Sequence, residues 1–391
     1  MNIANNKWTR GAIPALLIHC SIGTVYCWSL LKDSIISSLQ CSSSKIEWAF
    51  SLSIFFLGMS AAFLGNIVEK NVRLSAIISL VCFYLGMIGT GIGIKCGSPS
   101  AVLLCYGCIM GIGLGVGYLT PVKTLMMWFR ENKGLATGIA ITGFGLAKVI
   151  ASPLIEWSLS IMSIENTFYF LGSLYSLLIY IGAALIKKPE NCPEMKGTFF
   201  SLQDTITFIK NKQYLAIWFV FFINIACGLA LISQEKTILA KIGWVEYVTL
   251  IASLTAVLNA LGRFVYSTLS DELRDRSIIY IIIFISSAVF MVWSFISAEL
   301  TPLICVLGLL VCNAGYGGGF STLPSLLSDK FGMKNVSIIH GFTLSAWAFA
   351  GLVGNQLGNF IITNYNYQFL FIILTLFYLL AYYVTYKYIR N

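Results

Sequence analysis

VTLIASLTAVLNALGRFVYSTL, residues 248–269, decides what kind of molecule this is. It is long enough to cross a bilayer core, which takes roughly 20 apolar residues as a helix. It holds a single charge, Arg263. A charge near the bilayer centre costs about 2.5–3.5 kcal/mol on insertion scales, so an arginine there faces a cavity, a partner or a ligand rather than lipid.

The same character fills the chain. Of its 391 residues 58% are hydrophobic and 10% charged, too apolar for a soluble protein of this length. Twelve apolar segments begin near Gly11, Trp48, Leu74, Ser100, Gly134, Asn166, Gln213, Trp244, Ser277, Thr301, Ser337 and Tyr367. They predict an all-α membrane protein with twelve transmembrane helices. Continuous apolar runs exclude the short alternating strands of a membrane β-barrel. The first run follows Lys7 and Arg10, as in a secretion signal, but has no small-residue cleavage site and is expected to stay as a span.

The net charge of +9 is unevenly spread. Lys7, Arg10, Lys70, Arg73, Arg130, Lys133, Lys187, Lys188, Lys196, Lys210, Lys212, Arg274, Arg276, Lys330, Lys334, Lys387 and Arg390 fall on the side of the N-terminus. Lys32, Lys45, Lys95, Lys236 and Lys241 fall on the other. This bias predicts a multi-pass protein of the cell membrane with both termini cytoplasmic. It explains the charge by orientation in the lipid bilayer, with no nucleic-acid partner.

The eleven cysteines are scattered. Cys105 and Cys108 form a C-x-x-C with no histidine or carboxylate nearby, so they read as packing residues rather than a metal or redox pair. Only His19 and His340 could serve a Ser/His/acid or metal-ligand set. The expectation is a protein that is not an enzyme and needs no cofactor or metal. MGIGLGVG, Met110 to Gly117, lies inside a span with no strand before it, so it predicts close helix packing rather than a nucleotide loop.

KKPENCPEMKGTFFSLQDTITFIKNK is the longest polar stretch. It predicts an N-terminal six-helix bundle over residues 1–187, a cytoplasmic linker over 188–212 and a C-terminal six-helix bundle over 213–391. The halves echo each other. Pro121 precedes Gly138 by the same 17 residues that separate Pro324 from Gly341, an offset of 203, and GNIVEKNVR matches STLSDELRDR at an offset of 202. Two pseudo-repeated bundles suggest a transporter that rocks about a site between them.

The two echoing loops resemble the loop signature of the major facilitator superfamily, with Glu69, Lys70 and Arg73 in one copy and Asp271 and Arg274 in the other. Glu69 replaces the usual aspartate, and the glycine that follows is missing. A closer resemblance covers nearly the whole chain. GTVYCWSL (23–30), GLGVGYLTPVKTLMMWF (113–129), KGLATGIAITGFG (133–145), LGRFVYSTLSD (261–271), GYGGGFSTLPSLLSDKFG (315–332) and SAWAFAGLVG (345–354) resemble the oxalate/formate antiporter family, in order. The resemblance implies the major facilitator fold and alternating-access exchange or cotransport of small carboxylates. It places Arg263 as a substrate-binding cation. Oxalate carriers of that family have a lysine on span eleven, where this chain has Trp347, so oxalate itself is in question. A single span-eight arginine also resembles the monocarboxylate transporters.

Arg263 has Asn259, Ala260, Tyr266 and Ser267 as helical neighbours, none acidic. Its fork matches a carboxylate. Lys148 is about 21 Å into span five and would supply a second cation, so that a dianion could bridge the two. The alternatives are a neutral or outward-reaching lysine. Lys123 is expected to reach the inner surface. The resemblance also implies Tyr26, Tyr118, Tyr316 and Phe320 as walls of the site, closed by Trp347. No carboxylate falls deep in a span, since Glu47, Glu156 and Glu235 sit near outer ends. That favours exchange; His19, midway along span one, is the remaining candidate for proton coupling. The expectation is a monomeric secondary transporter of small organic anions. A proton-linked monocarboxylate symporter using Arg263 alone, and a non-transporting membrane sensor, are the alternatives.

Overall fold

A computed structural model of the chain describes residues 6–189, 208, 210–297, 301–332 and 336–390; the side chains of Asn66, Glu69 and residues 336–338 lie outside the description. Most of the expected linker, 188–212, therefore also lies outside it. Among the described residues every regular element is a helix.

The helices are α1 (Trp8–Leu39), α2 (Ser43–Lys70), α3 (Val72–Lys95), α4 (Pro99–Trp128), α5 (Lys133–Ile161), α6 (Ile164–Leu185), α7 (Lys212–Lys241), α8 (Val245–Glu272), α9 (Ser277–Ser297) and α10 (Pro302–Phe331). They continue as α11 (Val336–Thr343), α12 (Ser345–Asn364) and α13 (Tyr367–Ile389). Polar loop residues set their starts. Asn71 Oδ1 accepts from the main-chain N–H groups of Arg73 and Leu74 at 3.0 Å each, and Asn211 Oδ1 from those of Gln213 and Tyr214 at 2.8 and 3.1 Å. These caps satisfy donors that the first helical turn leaves open.

Eleven helices among the described residues are long and apolar enough to cross a membrane: α1 to α10 and α13. The segment expected to form one further span from Ser337 is instead divided into α11 and α12 at Leu344. Hydroxyls flank the division: Thr343 Oγ1 donates to Ile339 O at 2.7 Å and Ser345 Oγ to Phe342 O at 2.6 Å. Such back-bonding competes with the helical ladder, and Asn355, Gln356 and Asn359 lower the apolarity of α12.

Two compact units form. One comprises Met1–Gly197 with Lys334–Ala348, the other Thr198–Met333 with Phe349–Asn391. In the first, α1 packs on α4, α5 and α6, α2 and α3 pack on α4, and α11 packs on α2. α1 is not uniform: Gly23–Cys27 tightens to a 3-10 turn between two α-helical stretches, which carries Tyr26. α4 is buried almost throughout from Gly111 to Met126. A methyl at Gly115 would overlap Leu57 O and Ser60 Oγ of α2, so the glycine-rich stretch permits close helix contact, as its place within a span predicts. In the second unit, α10 packs on α7, α8 and α9, and α13 on α7 and α9. Large apolar side chains such as Phe63, Leu104, Ile150, Val265, Ile296 and Leu376 are exposed along the helices, the surface a bilayer covers.

Candidate functional site

Thr255, Asn259, Arg263 and Ser267 recur every four residues along α8, and all are buried. Arg263 has no exposed surface at all. Its Nε donates to Asn259 Oδ1 at 2.8 Å, and Ser267 Oγ donates to the Arg263 carbonyl at 2.5 Å. The guanidinium carbon is 5.2 Å from the Phe320 ring centroid and 6.0 Å from that of Tyr316. The rings themselves meet edge to face at 5.1 Å. Asn224 Nδ2 of α7 donates to the Tyr316 carbonyl at 3.4 Å. The second unit thus holds a planar cation in a dry aromatic setting, oriented by a neutral amide. A cation over ring faces gains about 0.5–2 kcal/mol or more as water leaves, and charge-assisted bonds made there are strong.

The expectation of no local acidic neighbour holds, yet a local partner exists: Asn259, an uncharged acceptor. Glu235, one of the carboxylates read as near outer ends, is buried. It is 4% exposed and accepts from Thr255 Oγ1 at 2.6 Å. Its position in the sequence is near the end of α7, but its side chain lies on the face that meets α8.

The first unit holds another cluster. Tyr26 meets Phe144 at 5.2 Å, Tyr118 meets Phe144 at 5.7 Å, and Trp347 meets Tyr118 and Phe144 at 5.3 and 5.8 Å. His19 stacks on Tyr118 at 5.3 Å. Phe144 sits at the centre of this set and is not one of the residues singled out from the sequence, although the repeat offset of 203 sets it opposite Trp347. Lys148 is half-buried one turn beyond Phe144, where it is a charged neighbour of Cys27, whose thiol also has Ser152 as a hydrogen-bond partner. Lys123, expected to reach the inner surface, is buried instead. Its stretch of α4 is enclosed by other helices, leaving little room to snorkel. Arg263, Tyr316 and Phe320 therefore come together in one unit. Tyr26, Tyr118, Trp347, His19 and Lys148 belong to the other.

Of the loop candidates, Lys70 and Arg73 are exposed, and the Glu69 side chain lies outside the described residues. Asp271 pairs with Arg276 at 2.8 Å, and Arg276 also reaches Asp329 at 2.6 Å and Ser270 Oγ at 2.5 Å. Arg274 is exposed; the basic residue two positions later makes these pairs.

The profile of the Major Facilitator Superfamily matches residues 15–355. The chain belongs to the major facilitator superfamily. It is a multi-pass membrane protein of a superfamily of transporters rather than enzymes. Among its relatives in the superfamily, the MFS-type transporter YhjX of Escherichia coli is 25% identical over 87% of this chain and 84% of its own length. The oxalate:formate antiporter of Oxalobacter formigenes is 25% identical over 95% of this chain and 88% of its own. The major facilitator fold is matched by the proton:xylose symporter XylE, with a TM-score of 0.70 at 12% identity over 97% of this chain and 94% of that one.

Proposed function

We propose that the protein carries small organic carboxylates across the membrane by alternating access, exchanging one anion for another, with Arg263 holding the carboxylate. One observation carries this reading: a fully buried arginine oriented by Asn259 beneath Phe320 and Tyr316. With Nε committed to Asn259, the terminal nitrogens are the natural donors to a carboxylate. The name of the Oxalobacter formigenes relative supports the substrate class.

Tyr26, Tyr118, Tyr316, Phe320 and Trp347 serve as aromatic walls, and Lys148 as a second cation that would favour dianions. The bias of basic residues among the loops supports a cell-membrane protein with both termini in the cytoplasm, acting as a monomer. His19 favours a second reading, proton-linked monocarboxylate symport.

The test is a panel of labelled mono- and dicarboxylates in proteoliposomes. Saturable dicarboxylate counterflow lost in both Arg263→Gln and Lys148→Ala supports the two-cation form. Monocarboxylate flux that needs Arg263 but tolerates Lys148→Ala leaves a single clamp and moves the reading to the symporter. If no carboxylate flux depends on Arg263, the arginine is structural and the proposal fails. The expected loss on Arg263→Gln follows from charge-assisted hydrogen bonds of about 1.5–3 kcal/mol, roughly tenfold to a hundredfold in affinity.

A further inference from the structure

His19 is fully buried in α1, one turn before Gly23. Its two ring nitrogens both meet main-chain oxygens. Nδ1 meets Ala140 O of α5, and Nε2 meets Tyr118 O of α4 at 3.0 Å. A carbonyl oxygen only accepts. A neutral imidazole has one N–H and one lone pair, so one of the two contacts would oppose lone pair to lone pair. Only the doubly protonated ring donates to both. The Tyr118 ring lies within 22° of parallel to it, and Phe144 stands at 90°, 6.0 Å away. An aromatic face is favourable to a cation.

We infer that His19 is a proton-carrying residue of the transport cycle: with both ring nitrogens protonated it ties α1 to α4 and α5, and loss of one proton releases one of those ties. The tie crosses three helices whose small relative shifts a carrier needs. Proton binding is thereby linked to helix packing, without a carboxylate relay.

Among the described residues, the titratable and charged groups near this layer are Tyr118 and, five residues on, buried Lys123 on α4, Lys148 on α5, Tyr175 on α6 beside Cys20, and His340, on α11, whose ring is 6.3 Å from that of Tyr118. The carboxylates of α5 and α6 are Glu156 and Glu165. They lie roughly 20 Å or more along their helices from Gly143 and Gly182, which pack on α1. A proton on His19 therefore adds positive charge to a layer of phenols, a thiol, two amines and a second imidazole. An anionic substrate supplies the opposite sign. Whatever free energy the anion lends to the protonated ring, the protonated ring lends to the anion. This coupling rests on the second, proton-linked form of the carboxylate reading above; the protonation of the ring does not.

Two measurements separate them. The chain has only two histidines, so nitrogen NMR of histidine-labelled protein in lipid nanodiscs resolves both, with His19→Gln for assignment. Under transport conditions His19 should carry a proton on each ring nitrogen. A His19 ring with a single N–H overturns the inference, whatever the substrate proves to be. In proteoliposomes, an inward proton gradient should raise carboxylate uptake severalfold over uptake at equal pH. That ratio should be lost in both His19→Gln and His19→Asn. A ratio that survives in either variant, or that is absent in the wild type, overturns the coupling. Absence of any Arg263-dependent carboxylate flux instead defeats the functional reading and leaves the NMR result to decide the ring's protons.

Discussion

Arg263 and Asn259 show how one residue sets the terms for another. The amide four residues earlier accepts from Nε at 2.8 Å and fixes the plane of the guanidinium. Asn259→Ala leaves that N–H buried without its acceptor, at a cost of about 1–3 kcal/mol. The expected outcome is a raised apparent KM for carboxylate, measured by initial uptake rates, together with a lower thermal midpoint of the purified protein. An unchanged KM would mean that the guanidinium keeps its orientation without the Asn259 amide. The lone arginine was legible in the sequence, because a single charge in an apolar run is costly and conspicuous. Asn259 was visible as a neighbour, but whether its amide met the arginine depended on rotamers that spacing does not specify. The inward turn of Glu235 was hidden for a related reason: rank along a helix indicates depth, not which way a side chain turns.

At the scale of elements, the approach of α8 to α10 controls the arginine. Gly317 faces the Asn259 carbonyl and Arg263 Cγ so closely that a methyl would overlap that oxygen. Gly317→Ala must push the two helices apart. Overpacking of this kind costs about 1–3 kcal/mol. A lower thermal midpoint is expected, with weaker carboxylate binding in the same protein; normal stability with normal binding would show that α10 can shift freely. The glycine run GYGGG was legible as a close-packing signal. Its target was not, because the sequence does not say which helix approaches. The division of α11 from α12 was also hidden. Thr343 and Ser345 look unexceptional in sequence, and their back-bonds to the main chain arise only in the folded segment.

At the scale of the whole molecule, the distribution of basic residues sets the orientation expected in the bilayer. Epitopes at both ends should react with antibody only after cells are permeabilised. Reaction of one end in intact cells would require an odd number of crossings. Eleven helices are long enough to cross by themselves, so a same-side result requires one further crossing, for which α11 and α12 together are the available segment. The loop ion pairs belong to this scale too. Arg276 joins Asp271 to Asp329, near the end of α10, but partly exposed pairs contribute little each, about 0–1 kcal/mol.

The sequence by itself determined the class, because bilayer crossing is dictated by local apolarity, helix length and loop charge, all of which are sums over neighbouring residues. It singled out Arg263, Lys148 and His19 for the same reason, as polar groups whose burial demands an explanation. Only the tertiary structure decided what answers that demand. Asn259 and two rings surround Arg263, Cys27 and Ser152 neighbour Lys148, and two carbonyl oxygens face His19. Most of these contacts join residues distant in the chain, and their hydrogen-bond geometry is fixed by helix packing and rotamers, which no local pattern encodes.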